Sequence, residues 1–355
     1  MATRLSDLFD LDLLDRMTAD GYVRVQRHPR LPLSIYNYSE KAQYAGVWND
    51  VTLLCRGLVV DTATGTVLAR PFAKFFNHGQ PDAPAFDLAD KVVVTDKADG
   101  SLGVLFPVDG SGHAIATRGS FDSTQARHAT QVWRARYAGR FTPPPGATVL
   151  FEIIYPDNRI VIDYAGLDDL VLLGAVEIAT GRSVSVDGWP GPVVETFAYP
   201  TLADALAAPP RDNREGLVVH RLADDVRVKV KYEDYLRLHR IVTGLNARSV
   251  WESLLTPAGF DDLVADLPDE FHTWATDVAT DLTAQVEALA ATVESAYATI
   301  VAGLPDGWTR KDFALVAARH PERGSLFHRL DERDYRPGLW QRVKPAMTGT
   351  DEEDG

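Results

Sequence analysis

Residues 91–108 read KVVVTDKADGSLGVLFPV, two β-rich runs that meet at a tight Asp99-Gly100 turn. Similar short runs, separated by turn residues, extend over residues 22–120 and resume over 147–231. Asp109-Gly110, which lies between two alternating runs, is typical of a hairpin turn. Strand patterns outnumber helical patterns and do not alternate regularly with them. The first 240 residues therefore predict an α+β fold built on antiparallel sheets.

The character of the sequence changes after Lys231. Apolar residues recur in steps of four and three from Val278 to Ile300, which predicts one amphipathic helix of about 28 residues. We therefore expect a β-rich domain over residues 1–239 and a mostly α-helical domain over 240–345. The last ten residues, 346–355, are rich in acidic side chains and predict a disordered tail.

The composition is that of an ordinary soluble globular protein, with 355 residues, 45% hydrophobic and 24% charged. No apolar run approaches the roughly 20 residues that a membrane helix needs, and the acidic N-terminus does not resemble a signal peptide. A single cysteine, Cys55, excludes an internal disulfide and a cysteine-built metal site. These features predict a cytoplasmic protein without a membrane partner.

The net charge of −14 argues against a nucleic-acid partner at first sight. However, residues 241–355 hold 10 basic and 20 acidic side chains, which leaves a net charge of only −4 for the first 240 residues. A local basic groove in the first domain would therefore be enough to bind nucleic acid.

Two lysine patterns are candidates for phosphate chemistry. Lys97 ends a β-run before a tight turn, and a lysine held in a dry site is a usable nucleophile at neutral pH. Lys229 and Lys231 alternate with valines in VRVKVK (226–231), so both point to one strand face. That face could clamp phosphate. Each pattern alone also fits a surface hairpin or a solvated strand.

Two glutamates lie in apolar strand patterns, Glu152 in FEII (151–154) and Glu215 in EGLVV (215–219). A charged side chain in such a setting needs a partner. The partner could be a ribose hydroxyl or a metal ion, or it could be an arginine in a structural ion pair.

ATP-dependent ligases and capping enzymes share a series of four motifs, and this sequence contains them in the same order. The four are a KxDG lysine, a strand glutamate, an EG pair and K-x-K. The chain resembles the bacteriophage T4 RNA ligase 1 family over about residues 35–240. The stretches that carry the resemblance are IYNY (35–38), CRGLVVD (55–61), RPFAKFFN (70–77), TDKADGSL (95–102), TRGS (117–120), FEIIYPDNRIVIDY (151–164), EGLVV (215–219) and KVKYEDYLRLH (229–239).

The resemblance implies an adenylyltransferase domain over residues 1–239 and an ATP-dependent RNA ligase. Lys97 would attack the α-phosphorus of ATP, and Glu152 would contact the ribose. Arg118 occupies a position where the family often has lysine. Phe76 is as consistent with an aromatic residue of the hydrophobic core as with a contact to the nucleotide. The implied nucleotide-binding residues are Tyr36, Arg56, Lys74, Phe76, Lys97, Asp99, Gly100, Arg118, Glu152, Glu215, Lys229, Lys231 and Tyr235; Lys97, Lys229, Lys231 and Glu215 would be catalytic, and Glu215 would also bind metal.

The same resemblance implies the substrates and the reaction path. AMP would pass from Lys97 to an RNA 5′-phosphate, and an RNA 3′-hydroxyl would then displace it. ATP would be consumed, and Mg²⁺ or Mn²⁺ would neutralise phosphate charge. Joining of 5′-phosphate and 3′-hydroxyl ends suits RNA repair, including tRNA repair.

Other functional classes fit the sequence less well. DNA ligases and capping enzymes place a small β-barrel after K-x-K, whereas residues 240–345 have helical patterns. A nucleotide-binding sensor without turnover should lack at least one charged motif residue, and all are present. The nine histidines show no HxH or HExxH spacing, which argues against a metal-dependent hydrolase.

Basic residues cluster near the C-terminus, with nine basic against five acidic side chains over residues 310–344. This cluster predicts either a patch that selects the RNA end or a salt-bridged helical face.

Overall fold

The computed structural model describes residues 2–108, 112–236, 239, 244–257, 259–267 and 269–345. The chain divides into two compact units, Met1–Thr243 and Gly244–Gly355. Both the predicted Asp109-Gly110 turn and the predicted disordered tail, 346–355, lie outside the described residues. No helix within the described ranges is long and apolar enough to cross a membrane.

The first unit is built mainly from β-strands. Its short helices are α1 (Leu11–Ala19), α2 (Glu40–Tyr44), α3 (Asp50–Leu54), α4 (Thr124–Val132) and α5 (Leu202–Ala207). Its strands are β1 (Val23–Arg27), β2 (Leu33–Tyr38), β3 (Arg56–Asp61), β4 (Thr66–Ala69), β5 (Val92–Asp96), β6 (Ser101–Val108), β7 (Gly112–Ala116), β8 (Ala147–Ile154), β9 (Asp169–Glu177), β10 (Ser183–Val184), β11 (Thr196–Phe197), β12 (Gly216–Arg221) and β13 (Val226–Lys231).

These strands form three sheets, with the orders β1-β2-β3-β4, β10-β9-β8-β6-β7 and β11-β5-β12-β13. Every pairing of neighbouring strands within them is antiparallel. The predicted α+β fold with antiparallel sheets is therefore confirmed.

The five-stranded sheet is covered on both faces, as the apolar pattern of β8 requires. Phe151 and Ile153 pack with Trp133, next to α4, in one core cluster. Leu150, which points the other way, joins a second cluster that includes Ile35 of the first sheet. Side chains of a strand alternate between two faces, so this largely apolar strand holds two cores together.

The third sheet has one buried face and one polar face. Val94, Val219 and Val228 lie in a core cluster that also contains Leu202 of α5. The alternate residues of β13, Lys229 and Lys231, therefore occupy the opposite face, as the VRVKVK pattern predicts. This polar face positions the candidate site.

The second unit is helical, with α6 (Ala247–Leu254), α7 (Gly259–Asp266), α8 (Asp269–Ala302), α9 (Arg310–Ala317), α10 (Arg323–Leu330) and α11 (Arg336–Arg342). The predicted long helix is α8, and its buried stripe includes Val286, Val293 and Ile300. Val293 and Ile300 pack with residues of α9 and α10, and Val286 packs with Leu339 of α11. The predicted helical C-terminal region is therefore confirmed.

Four arginines of the C-terminal basic cluster are engaged in ion pairs within this unit. Arg329 lies 2.9 Å from Glu294, Arg336 lies 2.6 Å from Glu287, and Arg342 lies 2.5 Å from Glu322. Arg310 pairs with Asp331. For these four residues the geometry favours the salt-bridged face over an RNA-binding patch.

Candidate active site

The predicted nucleophile lies at the end of β5 beside a buried carboxylate. The backbone N–H of Lys97 donates to the carbonyl of Gly216 at 3.0 Å. Its Nζ lies 2.6 Å from Oε1 of Glu215, and Lys231 Nζ lies 3.2 Å from the same oxygen. The Glu215 side chain is only 4% exposed. Three predicted catalytic residues therefore meet at one carboxylate oxygen.

The residue before Lys97 is anchored by two arginines. Arg214 Nε lies 3.3 Å from Oδ2 of Asp96, and Arg211 pairs with the other carboxylate oxygen. The guanidinium of Arg211 also lies 4.2 Å from the centroid of the Phe197 ring. This anchor fixes the strand end that carries Lys97. Sequence reasoning missed it, although the carboxylate before the lysine and the arginines of RDNREG (211–216) are visible signals.

The turn after Lys97 leaves no room for a side chain at Gly100. Its N–H donates to Oε1 of Glu152 at 3.0 Å. A Cβ at Gly100 would lie 2.6 Å from the carbonyl oxygen of Ile153. Glycine is therefore needed where the turn crosses β8.

Asp99 shapes this turn through contacts inside the protein. Its Oδ2 accepts hydrogen bonds from the N–H groups of Val161 and Ile162, both at 3.0 Å. Its Oδ1 accepts from the hydroxyl of Tyr235 at 2.9 Å, and its own N–H donates to Tyr164 at 2.7 Å. These bonds tie the nucleophile turn to the segment that follows β8.

Tyr235 is buried, with 3% of its surface exposed. Its hydroxyl binds Asp99, and its ring centroid lies 5.7 Å from Lys231 Nζ. The structure thus places this predicted pocket aromatic beneath the lysine cluster, where it supports both charged groups.

Glu152 titrates far from its ordinary range. Burial of its carboxyl raises the pKa to about 8, and the nearby charges of Glu215 and Asp99 act in the same direction. Lys97 and the Gly100 N–H oppose the shift without cancelling it. At neutral pH the Glu152 carboxyl is therefore mostly protonated and able to donate a hydrogen bond.

A second group of predicted residues surrounds Lys74. Its Nζ lies 5.3 Å from the ring centroid of Tyr38, 5.2 Å from that of Trp48 and 5.4 Å from that of Phe76. Arg118 Nη1 donates to the Tyr38 hydroxyl at 3.1 Å. Trp48 was not predicted, since it follows no motif and lies between two short helices.

Tyr36 lies apart from both groups. It packs in the cluster that contains Cys55, Leu58 and the N-terminal helix residue Leu14. The pairing of β2 with β3 shifts register between Tyr36 and Asn37, where Gly57 is the extra residue of β3. Tyr38 is the aromatic residue of this strand that meets Lys74 and Arg118, and the role of Tyr36 in nucleotide binding stays a prediction.

The two groups are joined along the outer edge of β13. Lys229 N–H donates to the Phe76 carbonyl at 2.9 Å, and His78 N–H donates to the Lys229 carbonyl at 2.8 Å. The cationic groups of Arg56 and Lys229 each lie 5.5 Å from the Phe75 ring centroid. The end of the RPFAKFFN motif therefore runs beside the K-x-K strand.

Within the described part of the chain, no group of three or more His, Cys, Asp or Glu side chains is arranged to hold a metal ion. Glu215, the predicted metal ligand, already contacts two lysines. Mg²⁺ in phosphate sites needs only one or two protein carboxylates, because phosphates and water supply its other ligands. Glu215 would suit this mode, and its role toward metal stays a prediction.

Comparison with known proteins finds similarity to RNA ligases. An RNA ligase family model of the T4 RNA ligase 1 type matches residues 54–200. A putative RNA ligase of Thermovibrio ammonificans is 31% identical over 134 residues, which are 36% of this chain and 34% of that protein. RNA ligase 1 of bacteriophage TS2126 is 32% identical over 122 residues, which are 31% of each chain.

Solved structures show looser similarity. An archaeal ATP-dependent RNA ligase is 16% identical, covers 92% of this chain and 96% of its own, and has a TM-score of 0.42. A Naegleria gruberi RNA ligase solved with ATP and Mn is 19% identical, covers 43% and 52%, and has a TM-score of 0.33.

The chain spans only about a third of the length of the two curated ligases it matches. The matched region nevertheless contains Lys97, Gly100 and Glu152, which carry the nucleophile turn. The similarity of this chain to the RNA ligase family of the T4 RNA ligase 1 type therefore lies in residues 54–200.

Proposed function

We propose that this protein is an ATP-dependent RNA ligase that joins 5′-phosphate and 3′-hydroxyl ends through a lysine–AMP intermediate. The observation that carries the proposal is the convergence of Lys97 and Lys231 on Glu215, inside a cation-lined face of the third sheet. A nucleophilic amine beside a phosphate-binding cation is what attack on a nucleotide α-phosphorus requires.

In the first step Lys97 Nζ forms a bond to the α-phosphorus, the bond from that phosphorus to the bridging oxygen breaks, and pyrophosphate leaves. Lys97 must lose a proton before it attacks. Glu215 Oε1, at 2.6 Å, is placed to hold that proton on its way to solvent. Lys231 then lies beside the phosphate and stabilises the negative charge that develops in the transition state.

The other cations extend the phosphate site beyond Lys231. Lys229 and Arg56 meet over Phe75, and Lys74 and Arg118 meet at Tyr38. The mostly protonated Glu152 is suited to a ribose hydroxyl. A divalent metal ion that arrives with ATP would neutralise charge on the phosphates, and Glu215 is the carboxylate available to it.

In the later steps AMP moves from Lys97 to the 5′-phosphate of an RNA strand, and a 3′-hydroxyl attacks that phosphate to release AMP. This chemistry repairs broken RNA, of which tRNA is one candidate. The single buried cysteine needs no oxidising compartment, in keeping with a cytoplasmic site of action.

The proposal is tested by incubating the protein with ATP, Mg²⁺ and a 5′-labelled RNA that ends in a 3′-hydroxyl. The expected product is a longer or circular strand whose label resists phosphatase. The same screen with DNA strands, and with nicked and looped RNA, defines the substrate. A nucleotide sensor would bind ATP reversibly and leave the strands unjoined, which would overturn the proposal.

DNA ligase or capping activity is a weaker alternative. Those enzymes place a β-barrel after the K-x-K strand. Beyond β13, the described residues of this chain form helices and no named strand. The DNA strands in the screen distinguish a DNA ligase from an RNA ligase directly.

A further inference from the structure

The side-chain amide of Asn77, a partly buried residue, has no hydrogen-bonding partner among the described residues. Both Nδ2 and Oδ1 are shielded from solvent, and neither makes a hydrogen bond within that part of the protein. The backbone at this position is firmly held, because its N–H donates to Gln80 Oε1 at 3.0 Å. A buried amide that lacks partners destabilises a fold, so its presence calls for a functional explanation.

The strand pairing fixes the direction in which Asn77 points. Asn77 forms a parallel bridge with Lys229 of β13. Residues paired in this way project to the same face of a sheet, and residues two apart in a strand do so as well. Asn77 therefore shares a face with Lys229, with Lys231, and with Phe75 beneath the two cations.

The neighbourhood indicates which kind of ligand this amide would bind. Arg56 and Lys229 each place a positive charge 5.5 Å from the centroid of the Phe75 ring. An amide offers one donor group and one acceptor to the same ligand. A phosphate chain with its bound water molecules matches both features.

The position along the site indicates which phosphates are involved. Lys97 and Lys231 mark the place of the α-phosphate in the proposed function. Strand spacing places the Asn77 Cα about 8 Å from that of Lys231, one strand outward and two residues along. Asn77 and Lys229 therefore lie beyond the place of the α-phosphate, where the β- and γ-phosphates would extend.

We propose that Asn77 binds the β- and γ-phosphates of ATP and retains the pyrophosphate as it leaves. Nδ2 donates to a terminal phosphate oxygen, and Oδ1 accepts from a water molecule bound to the same chain. This assignment rests on the proposed ligase function and adds a residue to it. An adenylylated RNA end has a 5′–5′ diphosphate but no terminal phosphate, so the contact of Nδ2 with the terminal phosphate acts in the first step and not in the sealing of an already adenylylated RNA end.

The test uses Asn77→Leu in the full chain, because leucine has a similar size and needs no hydrogen bond. Without a ligand this change should leave the melting temperature equal or higher. Covalent labelling at low ATP should fall about 10- to 100-fold, the loss expected for one hydrogen bond to a charged group. Sealing of pre-adenylylated RNA should stay within about threefold of the parent protein, since its 5′–5′ diphosphate has no terminal phosphate for Nδ2 to bind.

Two further variants sharpen the result. Asn77→Asp keeps the shape and places a negative charge beside the phosphates, so it should label more slowly than Asn77→Leu. His78→Ala, at the exposed next residue on the opposite strand face, should label at the parent rate. A calorimetric titration with pyrophosphate should show weaker binding by Asn77→Leu and unchanged binding by His78→Ala.

The inference is overturned if folded Asn77→Leu labels and binds pyrophosphate as the parent does. It is equally overturned if sealing of pre-adenylylated RNA falls as far as labelling, or if the variant gains the use of GTP, which would indicate contact with the base. If the parent protein binds pyrophosphate but never forms covalent AMP, the proposed ligase function fails, and the titration still decides whether Asn77 holds phosphate.

Discussion

At the scale of single residues, the raised pKa of Glu152 makes stability depend on pH. Its pKa of about 8 exceeds the ordinary value of 4.5, so the folded protein holds this proton more tightly than the unfolded chain. Linkage then makes the free energy of unfolding fall as pH rises from about 4.5 to about 8. Glu152→Gln should flatten that decline in urea titrations across this range. An identical decline in both proteins would show that Glu152 is not its source.

Lys229 and Lys231 allow a matched comparison with another lysine of the same sheet. Lys231→Ala removes the second cation at Glu215 and should slow covalent labelling about 100-fold. Lys229→Ala should produce a loss of similar order, because this lysine lies farther along the proposed phosphate site. Lys91→Ala, an exposed position before β5, should change nothing. Near-parental rates in both strand variants would identify them as surface lysines.

Residue type and order were enough to predict which charged side chains would cluster, since Lys97, Glu215 and Lys231 lie in recognisable motifs. The same reasoning named Tyr36 and overlooked Tyr38, which lies beside Lys74. Tyr36 and Tyr38 are two residues apart in one strand, so the sequence pattern alone does not distinguish them. Trp48 was missed because it reaches Lys74 from a loop that has no periodic pattern.

At the scale of secondary structure, the turn between β5 and β6 must pass close to β8. Gly100→Ala would put a Cβ within 2.6 Å of the Ile153 carbonyl. We expect this variant to lower the melting temperature and to abolish most labelling, since the turn carries both Lys97 and the contact to Glu152. Gly139→Ala, which would meet no atom within 4 Å, is the control and should leave both measurements unchanged. Unimpaired labelling by Gly100→Ala would contradict the packing described for this turn.

Strands with alternating valines were predictable, and so was the long helix α8, because burial imposes a visible period on each. The pairing of residues 76–78 with β13 was not. It joins segments about 150 residues apart in the chain, and the partner segment has no strand pattern of its own. That pairing brings the RPFAKFFN motif beside Lys229 and Lys231, so this part of the site could be recognised only from the tertiary structure.

At the scale of the whole molecule, every residue assigned to the nucleotide lies in the first unit, which ends at Thr243. A shortened chain ending at Leu245 should therefore still acquire covalent AMP at close to the full rate. Its range of RNA substrates should narrow or change if the helical unit helps to select them. Circular dichroism must show that the shortened chain is folded. A folded but unlabelled product would mean that the helical unit contributes to the first step.

Every later step of the proposed reaction depends on covalent adenylylation of Lys97, which radiolabelled ATP detects directly. With Mg²⁺ present, the protein should retain label through denaturing electrophoresis and lose it in acid, as a phosphoramidate does. Lys97→Ala should take up no label, whereas Lys91→Ala should label like the parent protein. Undiminished labelling of Lys97→Ala, or no covalent label on the parent protein, would contradict the account.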